Sequence, residues 1–327
     1  MKEKISIGTV TASSGEKMSG SLPIGRKPAS EYSIPLTIIN GKEDGPILTI
    51  ISGQHGTEYV GIAAAIEMIR RIDPQKLSGA LLIVPLVNVA GFEQRSRLVF
   101  PIEDEFSGTR NLNRIWPGDP NGSLAHVAIS TLFSEVVKKG KYMFDLHGGD
   151  VFEYVAECTL IPKTGNSVID SEVIGLAEAI GYDHVIETQN ARGYSITEAT
   201  LAGVASLALS IGDSGRLDEK LVEKMVTGLM NAMKFLKMIE GAVGLRKNYL
   251  SGYNVTKIKS KTGGLFYQKV PVGTIVQKGQ KIGEIISTDG QILENVHAVE
   301  AGLLFESCCN PAVNSGETLG EIALLRS

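Results

Sequence analysis

The stretch that most constrains the fold is Pro46-Ile47-Leu48-Thr49-Ile50-Ile51, followed by Ser52-Gly53-Gln54-His55-Gly56-Thr57-Glu58. The first six residues are short, mostly apolar and β-branched, and read as a buried strand. From Tyr59 to Arg71 the apolar residues Ile62, Ala65, Ile66, Met68 and Ile69 recur at helical spacing, so a helix opens near Glu58. His55 and Glu58 therefore sit where a buried strand hands over to a helix. In a parallel α/β sheet this is the carboxyl edge, where ligand sites gather. An imidazole and a carboxylate three residues apart at such a turn can reach one cation. Zinc takes nitrogen and oxygen donors of this kind, three from the protein at a catalytic site, with one position left open. The third donor has to come from another strand end. Tyr142-Met143-Phe144-Asp145-Leu146-His147-Gly148-Gly149 offers His147 after an apolar run, with Asp145 as an acceptor for a ligating imidazole. Either histidine alone is as readily an ordinary loop residue. Two of them at matching strand ends, each followed by glycine, point to a metal.

From this stretch onward strand and helix signals alternate. Strands are expected at Tyr32–Ile39, 46–51, Ala80–Val87, Met143–Leu146, His184–Ile186 and Ser206–Ile211. Helices are expected at Tyr59–Arg71, Ser123–Lys138, Val173–Ile180 and Leu217–Glu240. The pattern predicts an α/β domain over 1–247, with a mostly parallel, mixed sheet and helices on both faces. After Gly241 the helical period ends and short β-prone pieces alternate with glycines, which predicts a small all-β unit over 248–327.

Composition narrows the function classes. Hydrophobic residues make up 43% and charged residues 21%, as in a globular protein, and a net charge of -4 argues against nucleic acid as a partner. No apolar run approaches the roughly 20 residues that span a bilayer, and no apolar stretch follows Met1-Lys2-Glu3-Lys4 as a signal peptide requires. The three cysteines, Cys158, Cys308 and Cys309, offer no disulfide framework and no CxxC metal spacing. A cytoplasmic protein with a small-molecule partner, no membrane and no nucleic acid is the expectation; a homo-oligomer is left open.

Three motifs in order then resemble the succinylglutamate desuccinylase/aspartoacylase family, relatives of the zinc carboxypeptidases. They are Gly53-Gln54-His55-Gly56-Thr57-Glu58, Arg110-Asn111-Leu112-Asn113-Arg114-Ile115-Trp116-Pro117-Gly118 and Asp145-Leu146-His147-Gly148-Gly149. The resemblance covers roughly residues 40 to 240. It implies a zinc-carboxypeptidase-like fold, Zn2+ on His55, Glu58 and His147, and a substrate carboxylate held by Asn113, Arg114 and Arg97. It also implies that the C-terminal part is a biotinyl/lipoyl-like β-sandwich. Val296-His297-Ala298-Val299-Glu300-Ala301-Gly302 has no lysine to carry a prosthetic group, so that part reads as a lid or oligomer element. The activity implied is zinc-dependent deacylation of a small N-acyl amino acid or related carboxylate. Arginine's planar fork suits a carboxylate, although on its own Arg114 reads as a surface or capping arginine and Asn113 as a turn residue. Trp116, the sole tryptophan, is expected to pack beneath its loop.

One position breaks the family pattern. The resemblance implies a general-base glutamate at the end of a late strand, before a glycine, and Ser206-Leu207-Ala208-Leu209-Ser210-Ile211-Gly212-Asp213 has Ser210 there. A hydroxyl is no base near neutral pH, and losing a general base costs about 10²–10⁴ in rate. Three accounts compete. Asp213 swings in as a displaced base, against a plain turn-capping role. Or Glu198, Glu153 or Glu157 supplies the carboxylate, against being solvated. Or the chain keeps the metal and has a changed, non-hydrolytic reaction or a ligand-binding role.

Overall fold

The computed structural model describes residues 2–98, 111–188 and 191–326. A twelve-stranded mixed sheet organises them. Its order, from the edge nearest the N-terminus, is Glu16–Arg26, Glu31–Asn40, Ser78–Val84, Glu43–Ser52, Tyr142–His147, Ala205–Asp213, Glu153–Pro162, His184–Thr188, Leu250–Lys259, Thr318–Leu325, Gly302–Cys308 and Thr274–Val276. Parallel pairing holds the centre: Glu43–Ser52 lies between Ser78–Val84 and Tyr142–His147, and Tyr142–His147 also pairs parallel with Ala205–Asp213. These strands are apolar along nearly their whole length because helices cover both faces. Tyr59–Arg71, Ser167–Ile180 and Glu219–Phe235 pack on one side, over Leu48, Ile50, Phe144, Leu146 and Leu207. Leu124–Glu135 and Ser195–Leu201 cover the other, over Ile51, Leu82, Met143 and Ala208.

The helix expected at Tyr59–Arg71 has those bounds, and the helix expected over Ser123–Lys138 runs Leu124–Glu135 before a short 3₁₀ turn. Among the elements not anticipated, three shape the sheet and its cover. Glu16–Arg26 pairs antiparallel with Glu31–Asn40, Ser195–Leu201 is a short helix, and Glu153–Pro162 is a ten-residue strand. The last matters most, since it turns what reads as a loop after His147 into the partner of Ala205–Asp213.

The C-terminal strands are shared between two sheets. Gly264–Gln268, Lys281–Ile286, Ile292–His297 and Ala312–Val313 form a four-stranded sheet of their own. Leu250–Lys259 pairs parallel with His184–Thr188, and Gly302–Cys308 pairs antiparallel with Glu153–Pro162. Five strands thereby close into a ring: Glu153–Pro162, His184–Thr188, Leu250–Lys259, Thr318–Leu325 and Gly302–Cys308. Among the described residues no helix is long and apolar enough to cross a membrane.

Candidate metal centre and its cavity

Register brings the site together. Ser52 lies opposite Leu146 and Ser210 opposite His147, so three adjacent parallel strands end at one level. After Ser52 the chain turns through Gly53 at φ 66°, a left-handed conformation that favours glycine, and a Cβ there would also press on Leu86 and Ile62. The turn aims His55 and Glu58 at the end of the neighbouring strand. After His147, Gly149 passes so close to the backbone of Gly212 and Asp213 that a Cβ would stand 2.4 Å from the Gly212 carbonyl oxygen. Only glycine lets the two strand ends meet this tightly.

The three predicted donors converge. His55 Nδ1 lies 2.6 Å from Glu58 Oε1 and His147 Nδ1 lies 2.8 Å from Glu58 Oε2. One ligand atom from each residue falls within 4.8 Å of the other two, and all three side chains are buried. The other ring nitrogens settle the chemistry. His55 Nε2 is 3.1 Å from Asn111 Oδ1, an oxygen that also accepts the Asn113 backbone N–H. His147 Nε2 is 3.0 Å from Asp145 Oδ2. With Nε2 donating outward on both rings, each Nδ1 presents a lone pair to a carboxylate oxygen at 2.6–2.8 Å. Such a contact needs a positive charge between the partners, either a proton or a metal ion. The donor set therefore fits a divalent cation such as zinc.

The electrostatics agree. Burial works against ionised Glu58, but His55 and His147 outweigh it and hold its carboxyl far below the ordinary range. Burial likewise opposes a charged His147, yet Asp145 and Glu58 push its pKa well above the usual imidazole value. A chain of contacts fixes His147: Trp116 Nε1 donates to Gln54 Oε1 at 2.7 Å, and Gln54 Nε2 donates to Asp145 Oδ2 at 2.5 Å. Ser195 Oγ donates to the same oxygen. Trp116 packs beneath its loop as expected, and its indole N–H links all three motifs. Gln54 was missed as a positioning residue, although it sits inside the first motif.

The triad faces a cavity of about 780 Å³, with Asn113, Arg114 and Arg97 on its wall. Asn113 is buried; its Oδ1 accepts the Ser195 backbone N–H and its Nδ2 lies 3.4 Å from His147 Nε2. The Arg114 guanidinium stacks on Tyr194, 4.0 Å from the ring centroid, and has no carboxylate partner among the described residues. Arg110, which opens the second motif, lies outside the described residues. Arg97, the third residue expected at the substrate carboxylate, is itself engaged by carboxylates. Its Nη1 is held by Asp150 at 2.5 Å and Glu153 at 3.0 Å, and lies 3.5 Å from Glu58.

Ser210 lines the cavity beside His147. The expectation for Asp213 needs correction. The strand bulges between Ser210 and Gly212, Gly212 takes φ 121°, and the chain delivers Asp213 exposed, pairing with Tyr154 and outside the cavity lining. Glu198 is also withdrawn from the reaction space: it accepts from Arg192 Nε and the Gly193 N–H and does not line the cavity. Glu157 pairs with Lys224 and the Asp183 N–H. Of the alternative carboxylates, Glu153 alone reaches the cavity.

A strand-end His/Glu/His cluster on a mixed sheet covered by helices makes this an α/β protein with a candidate metal site. Residues 44–236 match the Succinylglutamate desuccinylase/Aspartoacylase catalytic domain, and the chain belongs to that family. It is 25% identical over 303 residues to the N-alpha-acetyl-L-2,4-diaminobutyric acid deacetylase of Halomonas elongata, across 89% of this chain and 85% of the relative. Two solved structures share the fold. The succinylglutamatedesuccinylase/aspartoacylase of Rhodobacter sphaeroides superposes with a TM-score of 0.85 at 21% identity, covering 95% of this chain and 96% of that one. The product-bound ectoine utilization protein EutE (DoeB) of Ruegeria pomeroyi gives 0.87 at 22% identity, covering 97% and 98%.

Proposed function

We propose that the protein is a zinc-dependent amidohydrolase that removes the acyl group from a small N-acyl amino acid or related carboxylate. The observation that carries this reading is the meeting of His55, Glu58 and His147 within one ion's reach, on a cavity whose wall also holds Arg114, which has no carboxylate partner among the described residues. The deacetylase relative is named for an N-acetylated amino acid, which supports the same class of substrate.

His55, Glu58 and His147 would hold the zinc, which would supply a Lewis acid for a carbonyl and for water. The chain's own residues do the rest. Arg114, pre-set by stacking on Tyr194, offers its fork to the substrate carboxylate, and Asn113 Nδ2 donates beside it. Asp145, held by Gln54 and Ser195, keeps the His147 ring turned so that Nδ1 faces inward. We read the C-terminal strands as a biotinyl/lipoyl-like sandwich without an attachment lysine, whose Val255, Lys257 and Phe305 wall the cavity.

The reading is tested by elemental analysis of the purified chain together with hydrolysis assays on a panel of N-acetyl and N-succinyl amino acids. About one zinc per chain and cleavage of at least one panel member are expected; a metal-free chain that cleaves none would end it. Arg114→Ala should lose about 1.5–3 kcal/mol of charged hydrogen bonding, about ten- to a hundredfold in kcat/KM, mostly through KM. Ser210 on the cavity wall favours the second reading, a metal-binding relative with a changed reaction or a ligand-binding role. One zinc per chain without turnover of any panel member would select it.

A further inference from the structure

Amide hydrolysis needs a group that takes a proton from water and returns it to the leaving nitrogen, and Ser210 cannot do this. Among the described residues six carboxylates line the cavity: Glu58, Asp145, Glu153, Glu306, Glu317 and Glu321. Glu58 belongs to the triad. Asp145 Oδ2 is occupied by Gln54, Ser195 and His147, and its Oδ1, though unpartnered, is buried away from solvent. Glu317 is tied to the backbone and side chain of Asn314, and Glu321 lies 3.4 Å from the Lys257 ammonium. Glu153 and Glu306 remain, and only Glu153 also comes close to the triad. One of its carboxylate oxygens lies within 4.8 Å of a Glu58 oxygen. Arg97 Nη1 lies between the two carboxylates, 3.5 Å from Glu58 Oε1 and 3.0 Å from Glu153 Oε2.

We propose that Glu153 is the proton-transfer residue of this chain, filling from the neighbouring strand the role that Ser210 leaves vacant. This rests on the amidohydrolase reading above. Glu153 is firmly placed. It starts the strand Glu153–Pro162, its backbone N–H donates to the Asp150 carbonyl, and its Oε2 accepts from Arg97 Nη1 at 3.0 Å. Its Oε1 has no partner among the described residues and is free for water. The groups facing it are Arg97, Asp150, Glu58 and His55, with Glu306 on the paired strand Gly302–Cys308, where it lies opposite Val155. Burial raises the pKa of Glu153, and Asp150 and Glu58 add to that against the pull of Arg97.

Glu153 takes one proton from water as the water oxygen bonds to the acyl carbon and the carbonyl π pair moves onto its oxygen. That pair then re-forms the carbonyl as the C–N bond breaks, and Glu153 gives its proton to the departing nitrogen. The carboxylic acid formed passes its remaining proton to the amine, leaving carboxylate and ammonium, with Glu153 ionised again.

The test uses the full chain, loaded separately with zinc and with cobalt(II). Glu153→Gln should keep one metal per chain and a KM within a few-fold of wild type, while kcat falls about 10²–10⁴-fold and the acid limb of the pH–rate profile disappears. Glu153→Asp, which keeps the charge beside Arg97, should recover part of the rate. Ser210→Glu added to Glu153→Gln should recover at least about tenfold, because it returns a carboxylate to the cavity. The visible spectrum of the cobalt(II) form reads the site without substrate, and its pH inflection should move in Glu153→Gln. A Glu153→Gln chain within threefold of wild type, or one that loses its metal, overturns the proposal. If the wild type binds metal but cleaves no panel member, the hydrolase reading falls by itself; an unmoved cobalt inflection then overturns Glu153 as well, and a moved one keeps it as the proton acceptor facing the metal site.

Discussion

Replacing Glu58 by alanine is expected to reduce bound metal to background and to destabilise the fold by about 3–5 kcal/mol, the usual cost of breaking a buried ion pair from one side. Glu58 is 2% exposed and bridges both imidazoles, whose ring centroids are 5.3 Å apart. Without it two buried rings face each other across a void. Elemental analysis and thermal unfolding would check both parts; a variant that keeps one metal per chain contradicts the geometry. Glu58→Gln should lose the metal with a smaller loss of stability, because an amide still meets one imidazole.

The same triad gives the metal-free protein a pH signature. The folded pKa of Glu58 is depressed, so its contribution is present above the ordinary carboxylate value of 4.5 and is lost as pH falls towards the folded value. The folded pKa of His147 is raised, so its contribution is complete below 6.5 and is lost as pH rises through the folded value. The triad thus stabilises the metal-free chain most between these two ordinary values. Metal affinity has the opposite slope on the alkaline side. The ion displaces the proton that His147 holds, so uptake releases protons and apparent affinity rises with pH, by about tenfold per unit below the raised pKa. Calorimetry in buffers of different ionisation heat counts the protons. No proton release would mean that metal and proton do not share the site.

Much of this site was legible because strand ends and helix starts leave strong local signals. The apolar run ending at Ser52 and the helical period from Tyr59 place His55 and Glu58 without reference to the rest of the chain. His147 needed only one further strand. What stayed hidden depends on pairing across the sheet. Glu153–Pro162 lacks a strict alternation, being buried or half-buried at every position and paired with three strands, so its β character comes from tertiary context. With that strand unseen, Glu153 reads as a loop glutamate and Asp213 as the nearest carboxylate to Ser210. The bulge that turns Asp213 outward is equally a property of the pairing with Glu153–Pro162. Arg97 shows a third kind of limit: motif position brings it to the cavity, but its partners Asp150 and Glu153 come from the turn and strand after His147.

A chain ending at residue 247 is expected to be insoluble and to bind no metal. The change of sequence texture near that point invites such a cut, yet hydrogen bonding runs straight across it. Leu250 to Gly252 continue the sheet beside His184 to Ile186, and Glu306 to Cys308 pair with Glu153 to Val155. Removing the segment bares two rows of unpaired backbone groups, which act as templates for aggregation. It also uncovers Ala156, Cys158 and Ile186, now buried against Leu303, Phe305 and Ala323. The loss reaches the site as well, since the strand that begins with Glu153 would no longer be flanked by the strand that carries Glu306. Phe305→Ala probes the same wall in a chain that can still fold, with an expected cost of about 3–5 kcal/mol. If that variant melts within a degree of wild type, or the 247-residue chain is monodisperse and metal-loaded, the ring of five strands does not hold the cavity together. If both fail as expected, the α/β layer and the C-terminal strands are one folding unit, and the wall facing the triad is part of the catalytic architecture.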